Sequence, residues 1–358
     1  MPLGRVEVEG CRSLQSVRIE VDRLSVFVGR NGVGKTNLHR ALHLLQCAAA
    51  GSITRAIMLE GGVDSVLWAG RRQRNRPVRL RLGASLEPLA YRIEIGLPRP
   101  TEAALPLEPM VKQEELVFVA GARPALLVQR KGPTAWLTDD DGQRQVQEGA
   151  LLPSETALGS FQDRGRFPEL FTVRRELLDW RFYHEFHSGV GSPIRSPCLA
   201  VATPTLSSDG HDLAAVFETV RRVRQDTAEI DAAIEDAFPG ARLRGDTGGG
   251  RCRLAIDFPD MPRPLEAHEL SDGTLKYLCL VGALCGYRLP TLVALNEPEA
   301  SLQAELIGPL ARLIGGAARR TQLWVVTHST RLGEELERLT GIRPRQVTKH
   351  AGATRIEA

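Results

Sequence analysis

The chain has 358 residues, 42% hydrophobic and 25% charged, an ordinary balance for a globular protein with a large core. A net charge of +3 excludes a polycation, so any nucleic-acid surface must be local, and no apolar run approaches the roughly 18 residues that span a bilayer. The start, Met1 to Glu7, lacks a signal-peptide core, and the six cysteines are scattered without C-x-x-C spacing. Both features predict a cytoplasmic protein with reduced, small core cysteines rather than a zinc site or a disulfide framework.

In chain order, Arg5–Val8 and Val17–Val21 alternate polar with apolar residues, and Leu24–Val28 is a short apolar run suited to a buried strand. Gly29-Arg30-Asn31-Gly32-Val33-Gly34-Lys35-Thr36 follows and matches G-x-x-x-x-G-K-[ST]. Leu38, Ala41, Leu42 and Leu45 then recur at helical spacing, so strand, glycine loop and helix stand in the order a phosphate-binding loop requires. In such a loop, glycines let consecutive backbone N–H groups turn toward phosphates, the helix N-terminus adds its positive end, Lys35 reaches the β- and γ-phosphates and the Thr36 hydroxyl binds Mg²⁺. His39 and His43 share a helical face but lack the glutamate of H-E-x-x-H, which favours a structural role over metal binding.

Past Gly51 the sequence reads as irregular, with a basic stretch holding Arg71, Arg72, Arg74, Arg76 and Arg79. If DNA is bound, Arg71–Arg79 is the candidate surface, although the lack of interleaved aromatics favours a solvated loop. From Val78 to Gln147 short strands alternate with turns, including Tyr91–Ile95, Leu126–Gln129 and Thr134–Leu137, with a hairpin signal at Asp139-Asp140-Asp141-Gly142. Residues 148–167 carry loop composition, and Pro168–Tyr183 reads as a helix running into a strand, with no third ligand beside His184 and His187. Helices are expected over Leu213–Arg224 and Ile230–Phe238, and a hairpin turn at Gly248-Gly249-Gly250 between Ala241–Arg244 and Cys252–Phe258.

In the C-terminal third, Leu270-Ser271-Asp272-Gly273-Thr274 opens a helix to about Gly286, and Thr291–Leu295 is a buried strand ending in Asn296-Glu297-Pro298-Glu299. After a helix from Gln303 to about Ala318, the strand Gln322–Val326 delivers Thr327-His328-Ser329 to its C-terminal end, where open α/β sheets bind ligands. The last residues alternate as strands around Gly352.

This order of motifs resembles the ABC-type ATPase head of the SMC/RecF class, and more narrowly the small bacterial RecF-like, AAA_21-type ATPases. The likeness rests on Gly29–Thr36 as Walker A, Leu270–Thr274 as the signature loop, Leu292–Glu297 as Walker B, Ala300-Ser301-Leu302 as the D-loop and His328 as the switch histidine. It implies one α/β P-loop head with a mixed sheet: a Walker A part (1–50), a β-rich lobe (51–167), a helical lobe (168–264) and a part with signature, Walker B and switch histidine (265–358). It further implies ATP and Mg²⁺ as ligands, with Gly29 to Asn37 around the phosphates and Thr36 and Asn296 at the metal, the latter through water. Ser271, Asp272 and Gly273 would meet the γ-phosphate on a second subunit, so ATP would join two copies. Glu297 would be the general base, and Lys35 and His328 would contact the phosphates.

The sequence departs from this pattern where Asn296 replaces the Walker B aspartate, which predicts weaker Mg²⁺ binding and slow turnover. Asp272 stands where glycine is commoner in the signature, Gln303 where the D-loop often has histidine, and no Q-loop glutamine is assignable. A nucleotide-gated clamp with negligible hydrolysis is the alternative reading, and an ABC transporter subunit shares the motifs but has a shorter interval between Walker A and signature. DNA maintenance or phage defence with a partner nuclease are the outputs the resemblance implies.

Overall fold

The computed structural model describes residues 1–71, 79–98, 107–120, 124–139, 142–147, 149 and 151–357. The chain opens with strands β1 (Arg5–Cys11), β2 (Leu14–Glu20) and β3 (Leu24–Val28), then helices α1 (Lys35–Ala49), α2 (Ile53–Leu59) and α3 (Val63–Val66). Strands β4 (Leu80–Leu86), β5 (Leu89–Gly96), β6 (Met110–Phe118), β7 (Ala125–Lys131), β8 (Thr134–Thr138) and β9 (Arg144–Gln147) follow. Next come α4 (Ala157–Ser160), α5 (Pro168–Asp179), β10 (Arg181–Tyr183), β11 (Cys198–Leu199), α6 (Leu213–Thr219), α7 (Ala228–Ala237), β12 (Arg242–Asp246), β13 (Arg251–Asp257) and β14 (Leu265–Glu266). The chain ends with α8 (Asp272–Cys285), β15 (Leu292–Asn296), α9 (Ile307–Ala317), β16 (Gln322–Thr327), α10 (Thr330–Thr340), β17 (Arg345–His350) and β18 (Ala353–Glu357).

Two compact units result, one of residues 1–22, 29–180 and 345–358 and one of 23–28 and 181–344. The first is built on an eight-stranded sheet in the order β2-β1-β4-β5-β6-β7-β8-β9, antiparallel throughout. Strict alternation explains it: Val6 and Val8 are buried in β1 while Glu7 and Glu9 face outward to pair with Arg92 and Arg81. A buried polar knot pins the segment after β9 to this sheet. Glu114 accepts N–H bonds from Ala157 (2.6 Å) and Leu158 (2.9 Å) and a hydroxyl from Tyr91 (2.9 Å). Arg130 donates to the carbonyls of Gly132, Leu152 and Glu155. Burial pushes the Glu114 carboxyl above the usual carboxylate range, and the two N–H bonds pull part of it back.

The second unit carries the parallel strands β10-β15-β16-β3, in register at Tyr183↔Leu295, Leu295↔Val325 and Val325↔Val26. All of β15 and β3 is buried, as expected of strands covered on both faces. Helix α8 is buried from Leu275 to Cys285, so it is apolar all round rather than striped. A smaller antiparallel set, β11-β13-β12 with β14 on β13, adjoins α6 in the same unit. The expected α/β class with parallel and antiparallel sheets is therefore the fold observed.

Several local expectations differ. The stretch past Gly51 forms α2 and α3 instead of irregular chain, because Ile53, Ile57, Val63 and Val66 are buried around the Gly61-Gly62 turn. The helix expected over 213–224 changes at Val220 to an i→i+5 turn closed by Gln225 N–H on the Val220 carbonyl, with Arg221 and Arg222 both held by Glu218. Helix α10 has no counterpart in the sequence reading. Its buried stripe is only Leu332, Gly333 and Leu336, although the N-cap Ser329 and the left-handed Gly341 are standard start and stop signals. Arg72, Arg74 and Arg76 lie outside the described residues, and Arg79 is ion-paired with Glu94. Asp140 and Asp141 also lie outside them, between β8 and β9, which pair antiparallel as the hairpin signal requires. His39 is buried, and among the described residues no cluster of three or more His, Cys, Asp or Glu could hold a metal. All six cysteines are free, Cys198 half-buried and the others buried.

Candidate functional site

The glycine loop lies in the first unit and is shaped by close approach. Gly34 has φ +98°, and a Cβ there would sit 2.1 Å from Ser13 Oγ and 2.2 Å from Thr354 Oγ1. A Cβ on Gly29 would fall 2.4 Å from the Val347 carbonyl, so both positions require glycine. The walls are themselves bonded: Asn37 Nδ2 donates to Ser13 Oγ (2.8 Å), Ser13 and Thr354 share a hydroxyl bond (2.6 Å), and Thr354 donates to the Val33 carbonyl (2.7 Å). Ser13 and Thr354, 341 residues apart, carry no motif of their own. Helix α1 begins without a side-chain cap and without an acid in its first turn, which leaves its N–H donors for an anion. Lys35 is buried, its ammonium donating to the carbonyls of Gly29 (2.6 Å) and Arg30 (2.9 Å), and Thr36 is the second residue of the helix. Arg30, Asn31 and Gly32 form the exposed rim, with Val33 half-buried behind them.

In the second unit the C-terminal ends of β15 and β16 bring Asn296, Glu297 and His328 together. Glu297 has φ +50°, a left-handed conformation that costs a non-glycine residue about 1–2 kcal/mol and turns the chain sharply off β15. Its Oε2 lies 3.8 Å from His328 Nδ1, and both side chains are part-exposed, at 32% and 41%. Glu299 does something else. It is 6% exposed, and its Oε1 accepts from Thr327 Oγ1 (2.5 Å), the His328 N–H (3.1 Å) and the Ser329 N–H (3.3 Å), with His328 Nδ1 at 3.1 Å. Glu299 thereby holds the turn that presents His328.

Asn296 is 2% exposed, with Nδ2 2.7 Å from Nδ1 of His184, the first residue after β10. Its Oδ1 is buried without a hydrogen-bond partner. An orphaned acceptor of this kind suits a hydrated cation, so residue 296 fits the Mg²⁺ that the fold implies. Asn296 and Glu297 line a cleft of about 760 Å³ with His184, Asp272, Lys276 and Ser301. Burial pushes the Lys276 ammonium below its usual range, while Glu299, Glu185 and Glu297 draw it back up.

The signature segment forms the N-terminus of α8. Ser271 is the N-cap, accepting from the Thr274 N–H (3.1 Å), and a Cβ on Gly273 would meet the Ser301 carbonyl at 3.0 Å, so signature and D-loop abut. Asp272 is ion-paired with Arg195 (2.6 Å). Arg195 also donates to the carbonyls of His268 (3.0 Å), Leu270 (2.7 Å) and Ser188 (2.6 Å), tying the loop after β10 to the signature segment. Sequence reasoning missed Arg195, Lys276 and Glu299, and it weighed His184 only as a metal ligand. The sequence showed His184 as a histidine at the end of a strand, and only the pairing of β10 with β15 sets it beside Asn296.

The fold is that of SMC head domains, with the glycine loop after β3 and Asn296, Glu297 and His328 at the ends of β15 and β16. The chain superposes on an SMC head solved with the C-winged-helix domain of ScpA, at TM-score 0.54 and 14% identity over 99% of this chain and 97% of that one. It also superposes on a Pyrococcus furiosus Smc head with an extended coiled coil, solved with the C-terminal domain of ScpA, at TM-score 0.52 and 13% identity over 99% and 95%. More narrowly, residues 162–332 match the AAA_21 model, described as an AAA domain, putative AbiEii toxin, type IV toxin–antitoxin system. The DNA replication and repair protein RecF of Marinomonas sp. (strain MWYL1) is 48% identical over 46 residues, 13% of this chain and 12% of that protein.

Proposed function

We propose that the chain binds ATP with Mg²⁺, closes into a homodimer around it and hydrolyses it slowly. Backbone N–H groups of residues 29–37 and the Lys35 ammonium hold the phosphates, with Lys35 exchanging the carbonyls of Gly29 and Arg30 for phosphate oxygens. Thr36, and Asn296 through water, would hold the metal, which would supply charge neutralisation at the phosphates. Glu297 takes the proton of the attacking water, and His328 meets the γ-phosphate. Ser271, Asp272 and Gly273 of a second copy complete the site, so release of phosphate releases the dimer.

The observation that carries this reading is the meeting of Glu297 and His328 at the ends of adjacent parallel strands, 3.8 Å apart and part-exposed. The next parallel strand, β3, runs directly into the glycine loop. A second reading is a clamp that binds ATP and regulates a partner with negligible hydrolysis, favoured by the uncharged Asn296. The output in either case is DNA maintenance, as the name of the RecF relative suggests, or defence against phage with a partner protein such as a nuclease, in the cytoplasm. Light scattering and phosphate release on wild type and Glu297→Gln, with and without ATP·Mg²⁺, test both. An ATP-dependent dimer trapped by the variant, with slow release in wild type, supports the hydrolysing clamp. A dimer without any release supports the second reading, and a monomer without release under all conditions overturns both.

A further inference from the structure

We propose that His184 is a positioning residue for the metal end of the site, holding the Asn296 amide with its carbonyl oxygen toward the cation. The inference rests on the ATP·Mg²⁺ reading and concerns a problem that asparagine creates. An aspartate presents two equivalent oxygens, whereas an asparagine presents an acceptor one way round and a donor the other. A terminal amide rotates easily between these, and the reversed form would aim N–H groups at a cation and its waters. Something must choose.

The structure supplies one candidate for the choice. Nδ2 of Asn296 lies 2.7 Å from His184 Nδ1, which as an acceptor takes an N–H and turns Oδ1 away. That Oδ1 is buried and has no protein donor, on a residue 2% exposed that lines the same cleft as Glu297 and Lys276. An acceptor left unsatisfied in the folded chain costs stability, and a hydrated cation placed against it removes that cost. His184 is placed for this by β10, whose parallel pairing with β15 sets Tyr183 opposite Leu295, so that the residues that follow these two are His184 and Asn296. The histidine does not touch the cation in this scheme. It acts through the amide.

The test is a double-substitution cycle read by metal binding rather than turnover. Mn²⁺ binding is measured by electron paramagnetic resonance on the full chain loaded with a non-hydrolysable ATP analogue. The proteins are wild type, His184→Ala, Asn296→Asp and the double variant. His184→Ala is expected to weaken Mn²⁺ about 10-fold in the asparagine background, the usual scale for removing an outer partner of a metal ligand, and to change it less than about 2-fold in the aspartate background. His184→Asn, which keeps an oxygen acceptor at that place, is expected to recover most of the loss. Analogue affinity in EDTA should be the same in all variants, which separates a metal effect from misfolding. Equal losses in both backgrounds, no loss in the asparagine background, or no rescue by His184→Asn each overturn the inference while leaving the ATP reading intact. Absence of analogue-dependent Mn²⁺ binding in every protein, Asn296→Asp included, overturns both.

Discussion

Replacing Glu299 by alanine should cost about 3 kcal/mol of folding stability, although the residue lies only two positions from the proposed general base. The magnitude follows from its partners. Glu299 Oε1 is the acceptor for the Thr327 hydroxyl and the His328 N–H, and Thr327 is fully buried. Each donor stranded without water costs about 1–3 kcal/mol. The Ser329 N–H is spared because it keeps Thr327 Oγ1 at 2.9 Å, and loss of the unsatisfied Oε2 returns part of the cost. Glu299→Gln keeps one carbonyl oxygen for the same donors and loses mainly the assistance of the charge, about 1 kcal/mol. Urea unfolding of both variants beside Glu297→Gln checks the argument, since Glu297 is part-exposed and its carboxylate lies 3.8 Å from the His328 ring. The expected order of loss is Glu299→Ala, then Glu299→Gln, then Glu297→Gln near zero. Equal effects of Glu299→Ala and Glu297→Gln would refute the division between a structural and a reactive carboxylate.

Glu297→Gly should raise stability by about 1 kcal/mol, since the left-handed backbone is free to glycine, while abolishing phosphate release; a stability loss above about 1 kcal/mol in thermal unfolding would contradict the strain. Gly32→Ala should cost about 1–2 kcal/mol for its positive φ alone, with no neighbour near its Cβ, whereas Gly34→Ala also collides with Ser13 and Thr354 and should lose at least twice as much in urea unfolding. Arg195→Ala should free the carbonyls of residues 268 and 270 and the Asp272 carboxylate, opening residues 267–272 to limited proteolysis. The same variant should weaken ATP-driven dimerisation about 10-fold, as expected for about 1.4 kcal/mol, while nucleotide binding by the monomer is unchanged.

Much was legible because the signals are local. Leu24–Val28 was readable to the residue as an apolar run before a glycine loop, and α8, β15 and β16 announce themselves by apolar runs between turn residues. Glu297 and His328 were placed for the same reason, each at the end of a strand, while their proposed roles came from the resemblance. Helix α10 was not legible, because its charged residues outnumber its narrow buried stripe of Leu332, Gly333 and Leu336.

The sequence alone therefore determined the glycine loop, the buried strands β3, β15 and β16 and the place of Asn296 at a strand end, since each depends on residues within a dozen positions of one another. Tertiary structure decided which residues brace them. Ser13 and Thr354 meet behind Gly34 across 341 positions, His184 and Asn296 across 112, and Arg195 and Asp272 across 77. Glu114 and Arg130 became a buried knot instead of a solvated pair of charges on neighbouring strands. Hydrogen bonds and ion pairs reach only a few ångströms, so their membership is set by which strands pair and in what register, and that is fixed by burial of the whole chain rather than by any one segment.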